Sequence, residues 1–176
     1  MKRLIFIGGP MGVGKTTVSR RLQTKLNNTV YLDGDWCWFT APWILNQETR
    51  ETALKNIVFM LNNFIDVKSY DNIIFSWILH SDETINSITS KLKMDDVEFY
   101  NISLISTKEA LVKRLRKDLD SGIRKEEVVI SRSLIRLNQI MKVNSIKVDT
   151  TDISSDEVVS KILNIVAGEK NDNIIK

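Results

Sequence analysis

The sequence predicts a three-layer α/β/α fold in which helices cover both faces of a five-stranded parallel sheet. Two observations support this prediction. Short, continuously apolar runs alternate with longer segments whose apolar residues recur at helical spacing. Turn residues and helix-capping patterns separate these segments, and no internal repeat interrupts them. The length of 176 residues suits one domain with one sizeable core, so residues 1–176 are expected to form a single domain.

The strands are predicted from the apolar runs, which are too short for helices and are flanked by turn residues. They are Leu4–Ile7, Val30–Leu32, Ile73–Trp77, a strand within Val97–Ile105, and Ser145–Thr150.

Helices are predicted between and after these strands, from helical periodicity and from capping residues. They run from about Lys15 to Leu26, from about Gln47 to Val67, weakly through Ile85–Leu92, from a capping box at Ser106 and Glu109 to a terminal Gly122, from about Lys125 to Met141, and onward from a capping box at Ser154 and Glu157.

Between the first strand and the first helix, residues 9–16 match the Walker A pattern G-x-x-x-x-G-K-[ST] at every fixed position. Such a loop points backbone N–H groups at a phosphate, and the following helix N-terminus adds partial positive charge. Lys15 is expected to reach the β- and γ-phosphates, and Thr16 to ligate Mg²⁺. The predicted nucleotide contacts are Gly9, Met11, Gly12, Val13, Gly14, Lys15, Thr16 and Thr17.

Two carboxylates flank a glycine directly after the second strand, at Asp33, Gly34 and Asp35. One can bind Mg²⁺ directly or through water, and the other can accept the proton of a hydroxyl that attacks the γ-phosphate. The alternative is an Asp-Gly turn with solvated acids.

The order strand, G-x-x-x-x-G-K-T, helix, strand, Asp-Gly-Asp resembles the small-molecule kinases of the P-loop superfamily, such as gluconate kinase, adenylylsulfate kinase and shikimate kinase. The ending Val148–Thr151, followed by a capped helix, is also similar to theirs. The resemblance implies an AAA-type P-loop NTPase fold, with Asp35 as the catalytic base at the acceptor, Asp33 assisting the metal, and a helical lid at about residues 113–136.

The chain departs from a common P-loop pattern at its third strand. Many P-loop proteins end a second apolar strand with an aspartate that holds the metal, but here Ser76 and Trp77 end the strand and no carboxylate follows until Asp82. This places the metal on Thr16, Asp33 and water, and argues against GTPase switches and motor ATPases. No Asn-Lys-x-Asp motif is present, so ATP is the expected nucleotide.

Aromatic residues crowd after the acidic pair, at Trp36, Trp38, Phe39 and Trp43. They either form an acceptor pocket, with Trp36 and Trp38 as the expected contacts, or plug the sheet edge as ordinary core. His80 follows the third strand and either contacts acceptor or phosphate, or is a surface or capping residue.

A basic segment between the fourth and fifth strands coincides with the lid of the kinases named above, and a lid can bring cations to the transferred phosphoryl group. By resemblance, Arg114 lies against the adenine, Arg124 reaches the phosphates as a catalytic cation, and Arg132 contacts phosphate or acceptor. The alternative is a solvated helix face with pairs such as Arg116 and Asp120.

Composition restricts the partners. The net charge of +3 is too small to indicate nucleic acid or a membrane. Cys37 is the single cysteine, which fits a reducing, cytoplasmic setting. The apolar run Leu4–Ile7 is too short for a signal peptide, and no run is long enough to span a bilayer.

The expected function is therefore ATP-dependent phosphoryl transfer to a hydroxyl of a small molecule. Two alternatives stay open, a nucleoside or nucleotide kinase and a nucleotide-binding regulatory module with slow ATP hydrolysis. Neither the acceptor nor the oligomeric state follows from the sequence.

Overall fold

A computed structural model of the protein describes residues 1–124 and 126–168. The predicted sheet is confirmed, with five parallel strands in the order β2-β3-β1-β4-β5. The strands are β1 (Lys2–Gly8), β2 (Thr29–Asp33), β3 (Asn72–Trp77), β4 (Val97–Ile105) and β5 (Ile146–Asp149).

Six α-helices lie within the described residues. They are α1 (Lys15–Lys25), α2 (Gln47–Asp66), α3 (Asp82–Thr89), α4 (Lys108–Asp120), α5 (Val128–Ile140) and α6 (Ser155–Val166). A short 3₁₀ turn at Gly34–Cys37 follows β2.

The two faces of the sheet build two separate parts of the core, because successive side chains of a strand point to opposite faces. In β1, Ile5 and Ile7 join the cluster formed with α1, α4, α5 and α6. Leu4 and Phe6 join the other cluster, formed with α2 and α3. Strands buried on both faces explain why the sequence shows continuous apolar runs instead of alternation.

Helix capping agrees with the sequence at most ends and differs at one. The capping box of Ser154 and Glu157 is present, and Gly122 follows α4 with a φ of 74°. The predicted cap at Ser106 is wrong, because Thr107 caps α4 by accepting from the backbone N–H of Ala110. Thr107 has the extended backbone that a capping residue needs, whereas Ser106 is buried.

The fifth helix starts later than predicted, at Val128 instead of about Lys125. Lys125 itself lies outside the described residues. No side chain caps the start of α5, so the sequence carried no signal for its first residue. The segment 113–136 comprises the end of α4, the connection and most of α5. Its action as a lid stays a prediction.

The strand register aligns the carboxyl ends of three strands. Gly8 of β1 lies opposite Trp77 of β3, and Asp33 of β2 lies opposite Ser76 of β3. Residues that follow these strands therefore meet at one edge of the sheet, where ligands of open parallel sheets bind.

Candidate active site

The loop between β1 and α1 has the backbone of a phosphate cradle. Gly12 has a φ of 81°, and a Cβ there would lie 2.6 Å from the Cδ2 of Leu115 in α4. Glycine is therefore required for both conformation and space. Val13 is buried in the core below the loop, while Thr16 and Thr17 are exposed at the start of α1.

The side chain of Lys15 folds back over this loop. Its Nζ donates to the carbonyl oxygen of Pro10 at 3.0 Å. Burial lowers the pKa of Lys15 to about 8, the nearby carboxylates of Asp35 and Asp33 oppose that shift, and the Arg124 guanidinium adds to it. Four predicted site residues thus lie close enough to act on one another electrostatically.

Asp33 is held by three hydrogen bonds at the end of β2. Its Oδ2 accepts from the hydroxyl of Thr16 at 3.4 Å and from the hydroxyl of Tyr31 at 3.0 Å. Its Oδ1 accepts from the backbone N–H of Asp35 at 3.1 Å, which caps the 3₁₀ turn. The two residues predicted to hold the metal, Thr16 and Asp33, are therefore in direct contact through their oxygens, while their binding of a metal stays a prediction.

Tyr31 links Asp33 to the strand end that lacks a carboxylate. Its hydroxyl lies 2.8 Å from the Oγ of Ser76. Burial raises the pKa of Tyr31 to about 12, so the phenol keeps its proton. Since that single proton is donated to Asp33, Ser76 donates to Tyr31. Sequence reasoning missed Tyr31, although its position two residues before Asp33 places both side chains on the same face of the strand.

Asp35 is oriented by a tryptophan on the neighbouring strand. The Nε1 of Trp77 donates to Oδ1 of Asp35 at 3.1 Å. A Cβ on Gly34 would lie 2.5 Å from the Cγ of Trp77, so only glycine lets the indole pack across the turn. Within the described residues nothing donates to Oδ2 of Asp35, which leaves that oxygen available to a ligand.

The aromatic segment after Asp35 is part core and part surface. Cys37 is buried, and burial together with the neighbouring carboxylates raises its pKa to about 11. Trp38 is half-buried, with ring centroids 4.7 Å from Trp43 and 6.2 Å from Trp77. Trp36 is 56% exposed, and the centroid of its ring lies 5.5 Å from that of Tyr31. The segment therefore presents open aromatic surface beside Asp35.

The three predicted arginines lie in different surroundings. Arg124 is half-buried and its Nε donates to Oδ2 of Asp118 at 3.1 Å, which holds it near Lys15. Arg114 donates to the hydroxyl and carbonyl oxygens of Thr150 and to the carbonyl of Thr151, so it lies at the loop after β5. Arg132 is exposed on α5, without a hydrogen bond or ion pair in the described part of the chain.

Comparison with known protein families adds to this geometry. Residues 5–133 match the family model described as AAA domain. The chain belongs to the AAA domain family. The match begins in β1, includes the phosphate loop and the Asp33–Asp35 turn, and ends within α5. No protein of curated function matches the chain.

Solved structures share the fold of this AAA domain at low identity. A sugar kinase from Janibacter sp. HTCC2649 is 14% identical, with 95% of each chain covered and a TM-score of 0.68. The tunicamycin resistance protein of Deinococcus radiodurans is 16% identical, with 99% of each chain covered and a TM-score of 0.66. Shikimate kinase from Acinetobacter baumannii, solved with shikimate, is 19% identical, covering 97% of this chain and 96% of its own, with a TM-score of 0.64. The predicted fold class and the resemblance to P-loop small-molecule kinases are confirmed at the level of fold.

The AAA domain holds a further positive pair, Arg50 and Arg136, whose proximity to His80 was not predicted. His80 is half-buried after β3, where burial lowers its pKa and the guanidinium groups of Arg136 and Arg50 lower it further. Burial also lowers the pKa of Arg136, and Arg50 adds to that shift. In the described residues neither arginine forms an ion pair. These residues belong to α2, α5 and the loop after β3, so no linear motif could reveal that they lie together.

The donor set at the phosphate loop fits Mg²⁺. Thr16 and Asp33 supply neighbouring oxygens, which are the ligands that this hard cation prefers. In residues 1–124 and 126–168 no cluster of three or more His, Cys, Asp or Glu side chains could hold a metal alone. That suits an ion completed by phosphate oxygens and water. Among the helices described, none has the length and apolarity needed to cross a membrane.

Proposed function

We propose that this AAA domain is an ATP-dependent kinase that transfers the γ-phosphate to a hydroxyl group of a small molecule. The observation that carries the proposal is the arrangement of Lys15, the Thr16–Asp33 oxygen pair and Asp35 around one end of the sheet. The kinases among the structures of similar fold support it.

Nucleotide binding is assigned to the loop and to the start of α1. Residues 9–17 would surround the phosphates with backbone N–H groups, and the helix N-terminus would favour their negative charge. The ammonium of Lys15 would leave the carbonyl of Pro10 and take phosphate oxygens instead. Arg114, which donates to Thr150 and Thr151, would lie beside the base.

Thr16 and Asp33 would hold the metal. Bound Mg²⁺ would neutralise charge on the β- and γ-phosphates. Tyr31 and Ser76 would keep Asp33 in place, which compensates for the missing carboxylate at the end of β3. The hydroxyl of Thr16 donates to Oδ2 of Asp33, the oxygen that also accepts from Tyr31. Thr16 and Asp33 would therefore need little rearrangement to bind one metal ion together.

Asp35 is proposed as the general base. The hydroxyl oxygen of the acceptor attacks the γ-phosphorus, the bond from that phosphorus to the bridging oxygen breaks, and ADP leaves with the bond's electron pair. The hydroxyl proton passes to Oδ2 of Asp35 while Trp77 holds Oδ1. Arg124 would offset the charge that develops on the phosphoryl group.

The test is ADP release from ATP and Mg²⁺, measured with and without a panel of hydroxyl-bearing acceptors. Acceptor-stimulated release supports the kinase, whereas a slow, acceptor-independent rate contradicts it. Asp35→Asn should lower kcat by about 10²- to 10⁴-fold, the usual contribution of a general base, while ADP binding is retained. Lys15→Ala should abolish transfer and weaken binding of ATP.

A matched control separates chemistry from folding. Asp95→Asn makes the same exchange at an exposed aspartate after α3, outside the proposed site, and should leave the rate unchanged. Equal rates for Asp35→Asn and the native protein would remove Asp35 from the mechanism.

A further inference from the structure

We propose that the phosphoryl acceptor carries a planar, largely apolar ring that lies on an aromatic wall formed by Trp36, Trp38, Phe39 and Trp43. This inference rests on the proposed function, since it assigns a substrate class to the same site. It excludes compact polyols as the preferred acceptors, because their recognition requires a pocket rich in hydrogen-bonding groups.

The wall begins at the proposed base. Trp36 directly follows Asp35 in the chain. Trp38 packs edge-on against Trp77, whose indole N–H holds Asp35. A molecule whose hydroxyl faces Oδ2 of Asp35 would therefore have the rings of Trp38 and Trp77 nearby.

The wall exposes aromatic surface that folding leaves in contact with water. Trp36 is 56%, Phe39 85% and Trp43 51% exposed. Ile44 and Leu45, which follow in the chain just before α2, are 48% and 50% exposed. Exposed aromatic surface beside a polar centre is typical of a ligand-binding face, because covering it is favourable.

Polar groups on the wall are few, and one has no partner. The Nε1 of Trp38 is buried and finds no hydrogen-bond acceptor among the described residues. A buried donor without a partner costs free energy, which a ligand acceptor atom inserted at the Trp38–Trp43 corner would recover. The rings of this corner meet at 67° with centroids 4.7 Å apart, so they offer an edge and a face to an incoming ring.

A membrane or a second copy of the chain could also cover apolar surface. The structure favours the acceptor because the same residue, Trp77, contacts both the wall and the proposed base. A membrane or a second copy that only buried the aromatic wall would not require a contact between the wall and the residue that holds Asp35. The other two occupants are outcomes of the test below.

The test compares acceptors that differ only in ring planarity. 4-(Hydroxymethyl)benzoate and 4-(hydroxymethyl)cyclohexanecarboxylate carry the same hydroxyl and the same carboxylate, and gluconate serves as a compact polyol. The planar compound should give the largest kcat/KM for ADP release, on the order of tenfold above its saturated partner, since ring stacking supplies that much. Trp36→Leu and Trp43→Leu should remove this preference.

Phe59→Leu is the matched control, because Phe59 is an exposed aromatic residue on α2 outside the wall. It should keep the preference. Binding is read independently through the indole N–H resonance of Trp38, assigned by its loss in Trp38→Phe. The planar compound should shift this resonance at a lower concentration than the saturated compound.

The outcomes separate the inference from the function on which it rests. Acceptor-stimulated ADP release without a planar preference, or an unmoved Trp38 resonance at millimolar planar compound, overturns the aromatic acceptor and leaves the kinase standing. Dimerisation or vesicle binding that the Trp36 and Trp43 variants abolish also overturns it. If Lys15→Ala and the native protein bind ATP equally, the proposed function itself fails.

Discussion

The hydroxyl of Tyr31 donates to Oδ2 of Asp33 at 3.0 Å, from a side chain that is itself buried in the sheet. The same hydroxyl lies 2.8 Å from Ser76 at the end of β3. Many P-loop proteins place a metal-binding carboxylate at such a strand end. Here Ser76 ends β3, and Tyr31 connects it to Asp33 of β2, the carboxylate that we propose binds the metal.

Tyr31→Phe should raise the Mg²⁺ concentration needed for half-maximal activity by a few-fold. The variant removes a hydrogen bond that orients Asp33, and one such bond contributes about 1 kcal/mol. Activity at saturating Mg²⁺ should stay near that of the native protein, since no reacting group is lost. The measurement is ADP release as a function of Mg²⁺ concentration.

Tyr100→Phe is the control for this substitution. The Tyr100 hydroxyl donates to the carbonyl of Val166, so its removal costs a hydrogen bond outside the site, whereas removal of the Tyr31 hydroxyl costs those to Asp33 and Ser76. It should lower the free energy of unfolding without changing the Mg²⁺ requirement. An unchanged requirement in both variants would mean that Tyr31 does not position Asp33.

Trp77→Phe should lower kcat by about tenfold while ADP affinity is unchanged. The phenyl ring keeps much of the packing but no longer donates to Oδ1 of Asp35, so the carboxylate loses its orientation. Misplacement of a catalytic group typically costs this much or more. Steady-state kinetics measure the loss of kcat, and ADP calorimetry checks that nucleotide affinity is unchanged. A parallel loss of ADP affinity would contradict a role confined to Asp35.

Gly34→Ala should destabilise the protein by about 1–3 kcal/mol and also lower kcat. The new Cβ would lie 2.5 Å from the Cγ of Trp77, so the indole must move, and Asp35 with it. Urea unfolding and ADP release measure the two effects. Gly168→Ala is the control, because that glycine has a φ of 77° and no atom within 4 Å of the added carbon. It should affect stability but not kcat.

The parts of the site that the sequence predicted are those encoded locally. The phosphate loop is one continuous segment, and the Asp33–Asp35 turn depends only on the strand before it. Helical periodicity and continuous apolar runs are also local properties, which is why the order of the elements and the parallel sheet could be predicted.

The parts that the sequence did not predict depend on register between strands. The contact of Tyr31 with Ser76 requires β2 to pair with β3 at one particular offset. The contact of Trp77 with Asp35 requires the same pairing and a glycine between them. The start of α4 shows a local limit too, since adjacent Ser106 and Thr107 are both good caps and only the backbone conformation decides between them.

The group formed by Arg50, Arg136 and His80 allows a test that needs no substrate, because His80 is the single histidine of the chain. Its ring protons can therefore be followed by NMR without ambiguity. Burial is the largest cause of its lowered pKa, and the charges of Arg136 and Arg50 add to it. Arg136→Gln removes one positive charge, which makes protonation of His80 easier, so its pKa should rise while staying below the ordinary value.

Arg50→Gln should act in the same direction, and Arg132→Gln is the matched control. Arg132 lies one turn before Arg136 on α5 but is exposed and is not among the charges that shift His80. Binding of an anion between Arg50 and Arg136 should also raise the pKa of His80, because a negative charge stabilises the protonated ring. An identical titration of His80 in the native protein and in Arg136→Gln would contradict the effect of the Arg136 charge on His80.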